Sequence, residues 1–400
     1  MKRIFIALLL LLTTTSASAG TSGLPCVLSP EAMPRSWQPS DKVRKDLAHR
    51  ADAGPWSASE AEEARYAIRT GLDEMINLYT KRPKAAEELW EDSVASLIEV
   101  TYSSANTPEF DARARDAARR NLTALIRPYL ERTLKSAKCN EYDELLPLAI
   151  YAHTRYQQND ARIAKMVQLA NFSYHACGSL TAAMGIDYKP MLEAEEVSTE
   201  DAFDMVIWSL LFIEGQLVPD LYLPAEASDF PATFWRFIED YQLAGARTYK
   251  DGARDEKFID AAYLATHIAY IPTGNHRYPI YVEDSPRLYQ FHRENFYAVL
   301  EMGELDLVAE FVDSLRQYGC TPENDLQVRD GTRFLLDLFQ AGGDRWMTYR
   351  EPGEKDKDVT NYDLVHKAWT AVLGIRERTI EPAEPGTYGG IVRSWLPHPR

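Results

Sequence analysis

The sequence predicts an all-α protein. It reads as about twelve antiparallel helices in an irregular α/α-toroid-like or solenoid-like array, with few short strands. Three observations point there. Apolar residues recur at three- and four-residue spacing through most of the chain. Hydroxyl, acidic, proline and glycine residues punctuate those stretches where helices begin and end. Strand signal is thin, with Tyr278–Val282 and Trp346–Tyr349 the candidates for short extended pieces in the connections. With 400 residues, 45% of them hydrophobic and 26% charged, the chain has ordinary globular composition and can bury a large core.

Residues 1–19 read as a secretory signal peptide. Lys2 and Arg3 form a basic start, Ile4 to Leu12 is an apolar run, and Ala17-Ser18-Ala19 offers a small-residue cleavage site. The run is too short for a bilayer span, which needs about 20 apolar residues. A secreted or periplasmic location follows. Residues 20–400 then form a single helical domain, with possible halves meeting in the Pro- and Asp-bearing stretch 219–230.

Helices are expected near 59–81, 84–103, 108–136, 144–158, 160–182 and 200–217, then near 231–248, 255–271, 286–302, 305–318, 322–340 and 360–374. Leu307, Val308, Phe311, Val312, Leu315 and Tyr318 form one stripe, which Gly319 can end in the left-handed conformation. Ser285-Pro286 and Thr321-Pro322 each place a hydroxyl before a proline suited to the first helical turn. Met205 to Ile213 is apolar except for Ser209, which predicts a central helix covered on nearly every face. Ser198 or Thr199 can cap its start. Short connections imply antiparallel hairpins, and the absence of a fixed repeat favours an irregular toroid over a regular solenoid.

Four cysteines in an exported chain are expected to pair. Cys139 and Cys177 end helices that a helix between them would make neighbours, so Cys139–Cys177 is preferred, leaving Cys26 with Cys320. The chain holds 44 basic and 60 acidic residues, a balance that disfavours nucleic acid as a partner. The Arg113 to Arg120 run is interleaved with acid and reads as a solvated helix face. After signal removal no membrane span is expected.

No GxSxG elbow, HExxH, Walker loop, dinucleotide fingerprint or calcium loop is present. One polar constellation stands out. Asp260, Tyr263, His267 and Tyr270 follow helical steps along one face of an otherwise apolar helix. The connection after it offers His276, Arg277, Tyr278, Glu283 and Asp284, and the next helix carries His292. If the two helices form a hairpin, His267, His276 and His292 could converge near a carboxylate.

That cluster has three possible uses. His267 or His276 could carry a proton while a carboxylate orients it and Arg277 holds an anionic group. Two imidazoles and a carboxylate could instead hold a divalent metal as cofactor, although the spacing matches no stereotyped site. Or the same groups could simply bond one another and fix the loop. The catalytic candidates are therefore His267, His276, Arg277, Tyr278 and His292, with Tyr263, Tyr270, Glu283 and Asp284 as substrate contacts. Abundant Tyr and Trp suit sugar rings, and extracellular α/α-toroids often host polysaccharide-processing enzymes, a fold analogy only. Two functional classes stay open: an exported lyase- or hydrolase-type enzyme acting on a glycan or other anionic polymer, and a non-catalytic scaffold gripping a polymer or peptide on a concave surface.

Overall fold

A computed structural model describes residue 26 and residues 54–100, 108–194, 197–245, 255–377 and 383–396. The predicted signal peptide lies outside the described residues. Helices α1 (Ala58–Lys81), α2 (Pro83–Leu89), α3 (Asp92–Glu99), α4 (Pro108–Leu130), α5 (Tyr142–Arg155), α6 (Ala161–Cys177), α7 (Leu180–Met184) and α8 (Tyr188–Glu193) come first. They are followed by α9 (Thr199–Gly215), α10 (Ala225–Ile238), α11 (Glu256–Ile268), α12 (Tyr270–Thr273), α13 (Pro286–Met302), α14 (Leu305–Gln317), α15 (Leu326–Ala341), α16 (Asn361–Ile375) and α17 (Tyr388–Arg393). The all-α class holds, with more helical segments than expected. The surplus comes from breaks: Trp90 at φ 47° separates α2 from α3, and Gly178 at φ 75° ends α6 before α7.

Starts follow side-chain chemistry. Ser57 and Glu60 form a capping box on α1, Thr360 and Asp363 form one on α16, and Ser198 caps α9 by accepting from the Asp201 amide. Two expected starts differ. Pro286 does open α13, but the Ser285 hydroxyl makes no cap bond. Pro322 lies in a turn, and α15 begins four residues later, where Asp325 accepts from the Val328 amide. No strand occurs among the described residues. Residues 279–281 are extended without a partner strand, bonding to Gln317 only through the Ile280 amide, and 346–348 form a turn fixed by Glu74 on the Trp346 amide.

Packing runs in a cycle. Each of α1, α4, α5, α9, α11, α14 and α16 packs on the next, and α16 packs back on α1. Two glycines make the closing approaches possible. A Cβ on Gly374 of α16 would stand 2.8 Å from the Ala309 carbonyl oxygen and 2.9 Å from its Cα on α14. A Cβ on Gly71 of α1 would stand 2.6 Å from Val372 of α16. Helix α14 is consequently covered all round by α11, α13, α15 and α16; besides its apolar stripe it buries Glu310, Asp313, Arg316 and Gln317, and only Asp306 is part-open.

Both disulfides are formed as expected, Cys26–Cys320 with Cα atoms 5.6 Å apart and Cys139–Cys177 with Cα atoms 4.6 Å apart. Arg113, Arg115 and Arg119 each pair with an aspartate on exposed surface. No described helix is long and apolar enough to cross a membrane.

Candidate functional site

Three helices in the cycle are buried on most faces yet leave one stripe part-open to solvent. On α9, packed by α5, α10 and α11, the stripe is Phe203, Ile207, Leu211 and Glu214, with Ile207 37% exposed. The sequence had suggested that this helix is covered on nearly every face, and the open stripe corrects that. On α11 and its continuation, Asp260, Tyr263, His267 and Tyr270 are the accessible positions among buried neighbours. On α16 they are Tyr362, His366 and Trp369, at steps of four and three residues.

The stripes meet. Phe203 packs on His267 with ring centres 4.4 Å apart, and His267 packs on Tyr270 at 4.9 Å. The Tyr263 hydroxyl donates to Asp306 Oδ2 at 2.8 Å, and His366 Nδ1 lies 3.7 Å from the same oxygen. Tyr362 stacks on His366 at 5.1 Å. Trp369 Nε1 donates to Glu99 of α3 at 2.9 Å. These side chains are part-open to solvent, yet burial is the main influence on the titration of Tyr263, His267 and His366.

Electrostatics follow from that placement. The His267 Nδ1–H donates to the Tyr263 carbonyl at 2.9 Å, so Nε2 carries the lone pair, and no described protein group bonds it. Burial, with smaller contributions from His366 and His276, pushes its pKa down to about 4, so the ring is neutral at pH 7. Glu310 lies 3.8 Å from His267 Nδ1 and bonds the Thr266 hydroxyl at 2.6 Å. Burial first, then repulsion by Asp306, Asp313 and Glu99, raises its pKa to about 8.

At the start of α3, burial raises Asp92 to about 6, and burial together with Asp92 and Asp143 raises Glu91 to about 8. Burial first, then Asp92, Glu310, Asp306 and Asp363, raises Tyr362 to about 12. Tyr151 of α5 is raised by burial and then by Glu91, Glu99, Asp92 and Glu214. Among the described residues the hydroxyls of Tyr151, Tyr270 and Tyr362 have no hydrogen-bond partner.

The structure divides the sequence-predicted residues. Tyr263, His267 and Tyr270 are part-open, as is Arg277, which is held by Glu214, donates from Nε to the Gly274 carbonyl at 2.8 Å and lies over the Tyr388 ring. His276 is sealed. Its Nδ1 donates to Asp313 Oδ2 at 2.6 Å, an oxygen that Gln317 also bonds at 2.7 Å, and its backbone is left-handed at φ 73°. Tyr278 is buried and stacks on Tyr388 at 5.9 Å.

The expected convergence of three histidines does not occur. His292 is fully buried, donates from Nδ1 to the Leu288 carbonyl at 2.8 Å and packs on Phe311, because α13 turns this face toward α14 rather than toward α11's open stripe. Asp284 is buried under Arg393, and Glu283 is on the exposed surface.

Among the described residues, the only three potential metal-ligating groups that lie close together are Cys26, Cys320 and Asp325, where both sulfurs are already joined in a disulfide. His267 with Glu310 and His366 with Asp306 remain pairs without a third donor in reach. Two clefts elsewhere, one of about 270 Å³ beside Trp235 and Phe291 and one of about 390 Å³ beside Arg82 and Arg345, include none of the histidines.

Sequence reasoning missed Tyr362, His366 and Trp369, although they repeat the signal that marked α11: polar-tipped rings at helical steps inside an apolar helix. It also missed Asp306, Glu310, Glu91 and Asp92, which carry no pattern and are defined only by the helices that surround them. No protein-family model, curated protein or solved structure matches this chain.

Proposed function

We propose that the cycle of helices is an irregular toroid, that the three open stripes line its central hollow, and that this hollow is the active site of an exported enzyme cleaving a glycan by acid–base chemistry. The observation that carries the reading is the meeting of part-open rings with acids: Tyr263 donates to Asp306 at 2.8 Å, His366 lies 3.7 Å from the same oxygen, Glu310 lies 3.8 Å from His267, and Trp369 donates to Glu99 at 2.9 Å. Carboxyl groups pushed to different pKa values across one space are the signature of an acid and a base working together.

Between pH 6 and 8, Asp92 is ionised and Glu310 protonated, given values of about 6 and about 8. In a hydrolytic step Asp92 removes a proton from water as its oxygen bonds to the anomeric carbon. The glycosidic C–O bond breaks, and the leaving oxygen takes its proton from Glu310. Thr266 positions Glu310 by donating its hydroxyl at 2.6 Å, and His267 beside it stays neutral. Tyr270, Tyr362 and Trp369 offer rings for stacking sugars. Arg277 shapes the floor through Glu214 instead of holding substrate. Paired cysteines and the leader-like start support export.

The test is release of reducing ends from a panel of soluble glycans. Asp92→Asn and Glu310→Gln should each lower kcat/KM by about 10²–10⁴, the usual worth of a positioned acid or base. No release from any glycan, or variants as active as the parent, would overturn the catalytic reading. The burial of His276 and His292 instead fits the second class, a non-catalytic scaffold; that reading requires glycan or peptide binding with no bond cleavage.

A further inference from the structure

We propose that the glycan taken by this hollow carries free amino groups, so that its substrate class is a cationic, amino-sugar polymer. The inference rests on the reading of the hollow as a glycan site, and names what that site selects.

Three independent features lead to it. The first is the balance of charge. Carboxyl groups stand beside the open rings, Asp306 bonded by Tyr263 at 2.8 Å and 3.7 Å from His366, Glu310 3.8 Å from His267 and Glu99 bonded by Trp369 at 2.9 Å, while the cations nearby are already engaged: Arg277 with Glu214, and Arg376 with Asp313 at 3.7 Å. An anionic chain such as a polyuronate would add repulsion to a space that already disfavours ionised carboxyls. A cationic chain would relieve it.

The second feature is the aromatic lining. Tyr151, Tyr270 and Tyr362 stand part-open with hydroxyls that no described residue bonds, and Tyr362 is 47% exposed. Rings beside carboxylates hold ammonium groups through cation–π attraction combined with charge–charge attraction. The third is the apolar stripe Phe203, Ile207 and Leu211 on the facing helix, which would be left wet without a ligand whose ring face covers it. Alternating sugar faces and protruding amines match a wall of that composition.

The experiment compares full-length mature protein binding a glucosamine hexamer and an N-acetylglucosamine hexamer of the same length, by calorimetry at pH 6 in low and high salt. The glucosamine hexamer should bind at least about tenfold more tightly, the worth of one or two desolvated cation–π contacts. That preference should shrink in high salt. It should also fall in Asp92→Asn, with Tyr362→Leu as a second variant that leaves the acids in place.

Equal affinities, preference for the acetylated oligomer, or no binding of either would overturn the inference. Cleavage is scored separately. Tight, salt-sensitive binding without cleavage supports the cationic ligand and removes the catalytic reading. Cleavage of acetylated oligomers without preference for the amine does the reverse.

Discussion

Asp313 is the place where this fold has most to lose from one atom-scale change. Its side chain is 1% exposed and faces three partners from two elements beyond its own helical turn and one within it: His276 Nδ1 at 2.6 Å, Arg376 at 3.7 Å and Gln317 at 2.7 Å. Removing the carboxylate leaves the fully buried Arg376 guanidinium short of an anion and forces His276, already in the left-handed region, to keep its conformation without its main bond. Loss of one partner from a buried ion pair costs about 3–5 kcal/mol. Asp313→Ala should therefore shift the urea-unfolding free energy by about that amount with an unchanged m-value. Asp306→Ala, at a part-open carboxylate, should cost about 1 kcal/mol or less. Adding Arg376→Met to Asp313→Ala should recover part of the loss, because the stranded charge is gone. An Asp313→Ala cost below about 1 kcal/mol, or no recovery in the double variant, would refute the reasoning.

The remaining expectations are shorter. Glu91, Glu99 and Glu310 are each raised to about 8 by burial, so the folded state holds more protons than the unfolded chain between pH 6.5 and 8; stability should fall across that window by about 1 kcal/mol per pH unit or more, and a urea midpoint that rises from pH 6.5 to pH 8 would contradict it. Gly374→Val should destabilise by about 1–3 kcal/mol, since its Cβ would meet the Ala309 backbone at 2.8–2.9 Å, and an unchanged midpoint would mean the two helices can separate freely. Replacing Cys139 and Cys177 by Ser opens a loop of sequence separation 38 and should cost about 2–4 kcal/mol in thermal or urea unfolding. His292→Gln should lower stability yet leave glycan cleavage within about twofold of the parent, because the ring lies outside the hollow.

Much of the helix map could be read directly because the chain marks its own boundaries. Residues 286–302 were bounded by a proline and a glycine, and the helix Pro286–Met302 with Gly303 as its left-handed cap occupies that span. The polar stripe of α11 was equally visible, since an apolar helix that spends one face on Tyr263, His267 and Tyr270 has to give that face partners. His292 shows where the same logic fails. Its spacing with Tyr289 and Phe296 defines a face but not the neighbour that face meets, and α14, not the hollow, lies there. Glu310 fails in the opposite direction. On the sequence it sits opposite an apolar stripe and looks solvated, and only the enclosure of α14 by four helices makes it a buried acid.

The packing of α16 against α1 joins helices about 280 residues or more apart in the chain. Until α16 has been synthesised, the flank of α1 that carries Gly71 lacks its partner Val372. Completion of the native packing therefore waits for α16, since contacts so remote in sequence carry a high loop-closure cost and form late. Under the proposed export such built-in delay would keep the chain threadable, and a truncation just before Asn361 should yield a chain that never reaches the native packing.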